Sequence, residues 1–361
     1  MHPEAEALLA WYDLNRRDLP WRGCGDPYAV WVSEIMLQQT RVETVLRYFS
    51  AFMEAFPTVG ALASAEEEAV LKRWEGLGYY SRARSLHAGA KQVAAAGGRL
   101  PRTAAELRRI RGIGPYTAGA IASIAFGERV SAVDGNVIRV MSRLRGIRAS
   151  MEAAASRRAV QDAADALVPA ERPGDFNQAL MDLGSAVCVS GTPECGRCPL
   201  RPFCDAARAG DAARLPVLPS QRPRRELRWE VLLPLLPDGV PVRRRTERLL
   251  QGLWVFPMAP ACASEEELLH ALRCLTGLTA ERAVPLGDCA HIFTHQAWKM
   301  RVWLIPAPAG ELRPEWRLAS AEDLRALPLP SAMRVPAGHA LALLDADRAA
   351  EYDAGGKLGQ G

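Results

Sequence analysis

Four cysteines within one short stretch of the chain are spaced so that all of them could bind a single metal centre. They follow the pattern C-x6-C-x2-C-x5-C, and their positions are Cys188, Cys195, Cys198 and Cys204. Soft sulfur ligands suit zinc or an iron–sulfur cluster, and the spacing alone leaves both alternatives open. The remaining four cysteines share no ligand spacing and are expected to be ordinary core or surface thiols.

Glu34 is a candidate general acid. It lies in the segment 30–40, and in a helix three of its four neighbours at three and four positions would be apolar. Burial on such a face would raise the pKa of Glu34 and keep the carboxyl protonated near neutral pH, as a general acid requires. A single tolerated charge on an amphipathic helix is the simpler explanation when Glu34 is considered alone.

Asp134 is the second candidate carboxylate. It lies in the segment 133–137, directly before a basic stretch that is expected to be helical. Capping of that helix is the favoured structural role for an aspartate at this position. Its functional role would be that of an ionised group beside a cationic intermediate. Cleavage of a glycosidic bond uses two carboxylates in opposite protonation states, so the two residues point to that chemistry together.

A glycine-rich hairpin could bind an anion. In Gly112-Ile-Gly114-Pro-Tyr116 the glycines would let the backbone turn tightly and approach a ligand, and the proline suits the first turn of a following helix. The free amides at that helix start, with three arginines nearby, would suit a DNA phosphate. A plain corner between two helices explains the same residues.

The elements that position these residues are predicted to be helices as far as residue 207. Apolar residues recur there at helical spacing, and Gly or Pro punctuates most of the gaps. The predicted helical segments are 5–14, 30–52, 66–74, 81–96, 104–110, 117–126, 137–144, 157–167 and 176–187.

The pattern changes after residue 207. Residues 208–226 are rich in Ala, Arg and Pro and are expected to form an interdomain linker. Residues 227–345 are expected to form a smaller α+β domain, in which Ser264 and Glu267 make the capping box of a helix over 264–276. Residues 346–361 are expected to be disordered. The predicted strands are 229–236, 253–257, 290–294 and 298–305.

Composition and charge restrict the functional class. A chain of 361 residues can form two domains with substantial cores. The net charge of +4 is uneven, since residues 101–150 carry nine Arg against three acids. Such a block suits DNA, although a solvated arginine-rich surface would look the same. Without an apolar run of eighteen residues or a signal-like start, we expect a cytoplasmic protein of bacterial type with no membrane attachment.

Taken together, the motifs resemble those of the MutY-type adenine DNA glycosylases, a family of the helix-hairpin-helix superfamily. The resemblance is dense over residues 8–204 and loose in the second domain. The matching segments are 19–22, 31–40, 76–80, 112–119, 133–137, 176–184 and the cysteine run.

This resemblance implies a mainly α, helix-hairpin-helix DNA glycosylase fold with a [4Fe–4S] cluster loop, followed by a C-terminal α+β Nudix-like domain. The four cysteines would bind the cluster, which would hold a loop against DNA. The substrate would be duplex DNA with adenine opposite 8-oxoguanine or guanine. The enzyme would act as a nucleoid-associated monomer in base excision repair.

The resemblance also implies a role for individual residues. Glu34 would protonate an adenine flipped out of the duplex, and Asp134 would stabilise the oxocarbenium sugar. The family's Phe-Ser-His loop, which contacts 8-oxoguanine, corresponds to Phe293-Thr294-His295. The remaining residues divide into the reaction centre (Tyr116 and Asn136), the adenine pocket (Trp21 and Arg22) and the DNA or lesion contacts (Gln39, Thr40, Leu77, Tyr79, Gly112, Gly114, Thr294 and His295).

Endonuclease III-type enzymes, which are bifunctional pyrimidine glycosylases, are the alternative. They resemble this chain in the hairpin, the aspartate and the cysteines, but they carry a lysine where this chain has Tyr116. That amine forms a Schiff base and cuts the strand. None of the four lysines lies in the hairpin, so we expect base removal with little strand cleavage. A non-catalytic DNA-binding protein is the rival from another class.

Overall fold

The computed structural model describes residues 1–219 and 223–355, which form two compact units. The first unit contains residues 1–65 and 82–219, and the second contains residues 66–81 and 223–355. The segment 66–81 therefore leaves the predicted helical domain of residues 1–207 and packs with the C-terminal part of the chain. Within the described ranges, no helix combines the length and the apolar character needed to cross a membrane.

Helices dominate the first unit and flank the sheets of the second. Short 3-10 helices occur at Cys195–Arg197, Arg201–Phe203, Ala212–Arg214 and Ser331–Met333. The α-helices in chain order are α1 (Pro3–Asn15), α2 (Pro27–Leu37), α3 (Val42–Ala55), α4 (Val59–Ser64), α5 (Glu67–Arg73), α6 (Ser81–Ala95), α7 (Ala104–Leu107), α8 (Pro115–Phe126), α9 (Gly135–Leu144), α10 (Ala154–Leu167), α11 (Pro173–Ala186), α12 (Asp205–Ala209), α13 (Glu265–Thr276), α14 (Ala321–Ala326) and α15 (Arg334–Gly355).

The prediction of one helix over 30–52 is wrong, because the chain breaks between α2 and α3. Gln39 adopts a left-handed conformation with φ of 57°, which ends α2. The buried guanidinium of Arg82 donates to the carbonyls of Ile35 at 3.0 Å and Met36 at 2.9 Å, and also to the carbonyl of Gln38. A side chain from α6 thus satisfies the carbonyls that the end of α2 leaves without helical partners.

The predicted hairpin connects α7 to α8 and packs against α6. Gly112 has φ of 86°, and a Cβ atom at this position would lie 2.7 Å from Cβ of Ser85. Gly114 has φ of −85° and caps α8, and a Cβ atom there would meet nothing within 4 Å. The first glycine is therefore required by backbone conformation and close packing. The second leaves the start of α8 open to an approaching ligand.

The second unit contains a four-stranded mixed sheet and a three-stranded antiparallel sheet. The spatial orders are β4-β1-β6-β5 and β3-β2-β7, and β1 pairs in parallel with β6. The strands are β1 (Arg225–Pro234), β2 (Val240–Arg244), β3 (Trp254–Val255), β4 (Met258–Pro260), β5 (Val284–Ile292), β6 (Gln296–Ile305) and β7 (Arg317–Ala319). Two hydrophobic clusters, one with α14 and α15 and the other with α13, fill the space beside these strands.

Several predictions in the second half need correction. The segment 290–294 does not remain a strand to its end, since β5 stops at Ile292 and the chain turns. The strands β2 and β7 and the helices α14 and α15 were not predicted from the sequence. At α13, the hydroxyl of Ser264 accepts from the amide of Glu267 as predicted, but the Glu267 carboxylate accepts from Ala263 at 2.8 Å.

The predicted linker and tail are also partly wrong. In the linker, Leu215 is buried and its carbonyl accepts from Nε of Arg143 at 3.0 Å, while Val217 accepts from the amide of Met151. These bonds tie residues 208–217 to the first unit, and positions 220–222 lie outside the described residues. In the tail, α15 continues to Gly355, and positions 356–361 lie outside the described residues.

We predict that Gly112→Ala destabilises the first unit by about 2 kcal/mol, because alanine at a left-handed φ also brings its Cβ against Ser85. Gly114→Ala is the matched control and should cost less, about 0.5 kcal/mol for a poorer N-cap residue, since its backbone is extended and its surroundings are open. Urea unfolding of the two variants measures the difference. Equal losses of stability would contradict this account of the hairpin.

Candidate active site

A cavity of about 590 Å³ in the first unit is lined by the predicted catalytic and adenine-pocket residues. Its walls come from α2, α8, α9, α11 and the loop before α2. Asp26 fixes the start of α2, since its carboxylate accepts from the amide of Tyr28 at 2.9 Å. The predicted residues that line the cavity are Trp21, Arg22, Glu34, Thr40, Tyr116, Asp134 and Asn136.

Glu34 lies on α2 with only 4% of its surface exposed. The hydroxyl of Tyr116 donates to its Oε2 atom at 2.5 Å. Burial raises the pKa of Glu34 to about 7, and the charge of Asp134 acts in the same direction, while the Tyr116 hydrogen bond and Arg22 oppose the rise. A substantial fraction of Glu34 is therefore protonated near neutral pH.

Tyr116 occupies the first turn of α8, immediately after the hairpin. The residue as a whole is half-buried, but its hydroxyl lies at the buried carboxyl of Glu34. Burial and the neighbouring Glu34 raise the pKa of Tyr116 well above its ordinary value, so that the phenol stays protonated. The side chain is a hydrogen-bond donor at the centre of the cavity.

Asp134 caps α9, as expected, and also faces the cavity. Its Oδ1 atom accepts from the amide of Val137 at 2.8 Å, and its Oδ2 atom accepts from Nδ2 of Asn136 at 2.8 Å. Burial raises the pKa of Asp134, but both hydrogen bonds oppose that rise. Asn136 itself packs against Gly184 of α11, where a Cβ atom would lie 2.6 Å from Cβ of Asn136. Capping and facing the cavity are thus compatible roles.

Asp182, which the sequence analysis missed, binds two arginines that line the cavity. It is 2% exposed on α11 and accepts two hydrogen bonds from Arg22, at 2.7 Å to Oδ2 and 3.0 Å to Oδ1. Arg17 donates to Oδ1 through Nε at 2.9 Å. One buried carboxylate therefore holds two guanidinium groups beside the cavity. Its sequence signal was an acid on the apolar face of the predicted helix 176–187.

The other predicted contact residues are divided between the units. In the first unit, Gln39 is exposed at the end of α2, and both hairpin glycines are exposed. In the second unit, Leu77 is buried, whereas Tyr79 is 45% exposed and lies beside the exposed Thr294 and His295. The hydroxyl of Tyr79 lies 3.3 Å from Oγ1 of Thr294. Of these predicted contact residues, Leu77 is the one whose side chain is buried.

The four clustered cysteines line one small cavity with Arg143 and several apolar side chains. All four are free thiols, and Nη1 of Arg143 lies 3.3 Å from Sγ of Cys188. Arg139 donates to the Cys188 carbonyl at 2.7 Å and to Oδ1 of Asn136 at 2.8 Å. Across the described residues, no group of three or more Cys, His, Asp or Glu side chains is placed to hold a single metal ion.

Comparison with known proteins bears on the family. A family model for the HhH-GPD superfamily base excision DNA repair proteins matches residues 32–165, and a NUDIX domain model matches residues 237–335. The adenine DNA glycosylase of Mus musculus is 37% identical over 389 residues, which cover 91% of this chain and 76% of the mouse protein. The adenine DNA glycosylase of Homo sapiens is 35% identical over 91% of this chain and 72% of the human protein.

The chain belongs to the adenine DNA glycosylase family.

A solved structure supports the glycosylase fold. The structure of a thermostable thymine-DNA glycosylase is 28% identical in sequence, covers 57% of this chain and 95% of its own length, and has a TM-score of 0.52. The family, the mainly α helix-hairpin-helix fold with a C-terminal Nudix-like domain, and the enzyme class predicted from the motifs are confirmed. The roles of the individual cavity residues stay predictions.

We predict that Glu34→Gln stabilises the protein at about pH 8 and changes stability little at about pH 5. The folded-state pKa of about 7 lies above the ordinary value of 4.5, so the Glu34 contribution to stability is lost as pH rises between these values. Above that window the buried carboxylate costs on the order of 3 kcal/mol, and the neutral amide avoids this cost. Thermal unfolding at the two pH values measures the effect.

The matched control is Glu43→Gln, on the exposed rim of the same cavity. It should show no comparable difference between the two pH values. If Glu34→Gln changed stability equally at both, the carboxyl would not have the raised pKa that its burial predicts.

Proposed function

We propose that this chain hydrolyses the N-glycosidic bond of adenine that is mispaired with 8-oxoguanine or guanine in duplex DNA. The observation that carries the proposal is the buried carboxyl of Glu34, which accepts a hydrogen bond from Tyr116. It lies in the same cavity as Asp134, the residue that caps α9. Two carboxyl groups with different environments suit an acid and an anion in one reaction. The matching adenine DNA glycosylases support adenine as the base.

Glu34 acts as the general acid. The adenine leaves the duplex and enters the cavity, where protonated Glu34 donates its proton to a ring nitrogen, N7 in our account. The bond between the sugar C1′ and adenine N9 then breaks, and its electron pair leaves with the neutral base. Because the adenine is protonated before the bond breaks, it leaves as a neutral base and not as an anion. Tyr116 keeps the Glu34 carboxyl oriented through the 2.5 Å hydrogen bond.

Asp134 stabilises the oxocarbenium sugar that remains. Its hydrogen bonds from the Val137 amide and from Asn136 favour the ionised form, so that a negative charge faces the developing cation. Water then adds to C1′ and loses a proton, and the products are free adenine and an abasic site. Because Tyr116 offers no amine, no Schiff base forms and the strand stays intact.

Arg22 and Trp21 form the adenine side of the cavity. Asp182 neutralises the guanidinium of Arg22 through two hydrogen bonds, which keeps Arg22 from pairing with Glu34 instead. A direct ion pair would ionise Glu34 and remove its proton before the reaction. The Arg22–Asp182 pair therefore protects the protonation state of the acid.

The four clustered cysteines hold a [4Fe–4S] cluster in this proposal. All four line one small cavity, and Nη1 of Arg143 lies 3.3 Å from Sγ of Cys188. Four cysteine sulfurs close together are the usual ligand set of such a cluster. When bound, the cluster would serve structure rather than bond cleavage. Arg139 and Arg143 on α9 donate to the backbone carbonyls of Cys188 and Val189. These bonds hold the start of the cysteine loop against α9, the helix that Asp134 caps.

The DNA contacts follow from exposure and charge. The start of α8, with exposed Gly112 and Gly114, would bind a backbone phosphate, and Gln39, Thr40 and Tyr79 would face the opposing base. Thr294 and His295 would contact the 8-oxoguanine. The protein would act as a monomer in the cytoplasm, at the nucleoid.

We predict adenine release from a duplex with adenine opposite 8-oxoguanine, and none from matched A·T or from G·T duplexes. Glu34→Gln and Asp134→Asn should each lower the single-turnover rate by about a thousandfold, because each removes one half of the acid–anion pair. Release is measured by strand cleavage at the abasic site after alkali, and cleavage before alkali should be minor. Full activity of Glu34→Gln would refute the assignment of the acid.

The same assay distinguishes the proposed function from that of a bifunctional pyrimidine glycosylase. That enzyme would nick the strand without alkali and would form a borohydride-trapped adduct with DNA. A protein that only binds DNA would release no base from any duplex. Either outcome would overturn the proposal.

We predict that Asp182→Asn moves the pH dependence of the single-turnover rate to lower pH. In the wild type the rate should fall as pH rises through about 7, because Glu34 loses its proton there. Loss of the Asp182 charge leaves Arg22 uncompensated near Glu34, which lowers the pKa of Glu34. Asp175→Asn, on the same helix but paired with Arg172 at 2.8 Å, is the control and should leave the profile in place. An unshifted Asp182→Asn profile would contradict the protective role of the pair.

A further inference from the structure

Helix α5 and the loop after it, residues 66–81, belong to the second unit and contact its C-terminal part through polar groups that the sequence analysis did not predict. Nε1 of Trp254 donates to Oε1 of Glu68 at 2.9 Å. Nζ of Lys72 donates to the carbonyl of Leu327 at 3.1 Å. These contacts join α5 to β3 and to the chain that follows α14.

Apolar packing adds to these contacts. Val70 and Leu71 on α5, and Trp74 directly after it, are fully buried. Gly252, with φ of 83°, lies so close to α5 that a Cβ atom there would be 3.3 Å from both Leu71 and Glu67. The backbone of the β2–β3 connection therefore rests directly on α5, and a side chain at Gly252 would separate the two.

The loop that follows α5 holds Tyr79 in a constrained conformation. Gly76, Gly78 and Tyr79 all have positive φ, at 101°, 72° and 48°. Nε1 of Trp74 donates to the carbonyl of Gly78 at 3.1 Å, which ties the loop back to the end of α5. A tyrosine in the left-handed region is costly and persists only where its surroundings fix it. The position of α5 therefore determines where the Tyr79 side chain points.

Thr294 is fixed from the other side by the β5–β6 hairpin. The amide of Phe293 donates to the carbonyl of Gln296 at 2.8 Å, so Thr294 and His295 form a two-residue tip. The Phe293 ring packs against Trp298 with ring centroids 4.8 Å apart and anchors the tip to the core. Tyr79 and Thr294 thus meet, hydroxyl to hydroxyl, from two independently anchored loops.

We propose that Glu68 is a positioning residue for lesion recognition: through Trp254 it fixes α5, and α5 holds the Tyr79 hydroxyl against Thr294 so that the two hydroxyls contact the opposing base as one pair. This inference rests on the proposed function. 8-Oxoguanine differs from guanine by an N–H donor at N7 and a carbonyl acceptor at C8. Two adjacent hydroxyls can accept from the first and donate to the second, and guanine lacks that combination.

The test compares adenine release opposite 8-oxoguanine with release opposite guanine, as single-turnover rates measured on the same preparation. The ratio of these rates does not depend on the folded fraction of a variant. Glu68→Ala should lower the ratio roughly tenfold, the size expected for loss of one hydrogen-bonded position. Glu68→Gln should restore most of it, because the amide oxygen still accepts from Trp254. Glu66→Ala, an exposed residue at the start of the same helix, is the matched control and should leave the ratio unchanged.

A double variant distinguishes positioning from independent effects. Tyr79→Phe removes only the hydroxyl and should lower the ratio about as much as Glu68→Ala does. The double variant should lower it no further, because both changes abolish the same contact. Multiplied losses in the double variant, or an unchanged ratio in Glu68→Ala, would overturn this inference. A wild-type enzyme that releases no adenine, or that shows no preference for 8-oxoguanine, would instead overturn the proposed function.

Discussion

The proposed chemistry of this protein depends on one buried carboxyl group, that of Glu34, and on the phenol that donates to it. A carboxyl removed from water holds its proton to higher pH, and the Tyr116 hydroxyl fixes its orientation at the cost of part of that shift. The surrounding elements maintain this environment. Arg82 caps the carbonyls at the end of α2, the helix that carries Glu34. The hairpin places Tyr116 at the start of α8, and Asp182 forms an ion pair with Arg22.

The two carboxylates differ in their hydrogen-bond donors as well as in their exposure. Glu34 is buried and Asp134 is half-buried, and desolvation raises the pKa of each. Asp134 accepts from the Val137 amide and from Asn136 because it caps a helix, whereas Glu34 lies in the middle of one and meets a single phenol. In the proposed mechanism, the helix cap favours the ionised form of Asp134 and the helix interior favours the protonated form of Glu34, as cleavage of a glycosidic bond requires.

Much of the cavity was predictable because local chemistry determines it. An acid on an apolar helical face, an aspartate before a helix and a Gly-x-Gly-Pro turn each have a meaning within a few residues of sequence. The break between α2 and α3 was not predictable, since it depends on Arg82, a residue 46 positions from the Met36 carbonyl that it caps. The same holds for the Arg17–Asp182 and Glu68–Trp254 contacts, which join segments distant in sequence. The strand β2 has two arginines among its five residues and carries no alternating apolar pattern to recognise.

The protonation state of Glu34 can be observed directly. Infrared difference spectra of the wild type and Glu34→Gln, recorded across a pH titration, isolate the C=O stretch of this one carboxyl group. We expect a protonated-carboxyl band that is absent from the variant and disappears with a midpoint near pH 7, as the pKa of about 7 requires. A midpoint near the ordinary value of 4.5 would contradict the account, because Glu34 would then be ionised when the enzyme meets its substrate.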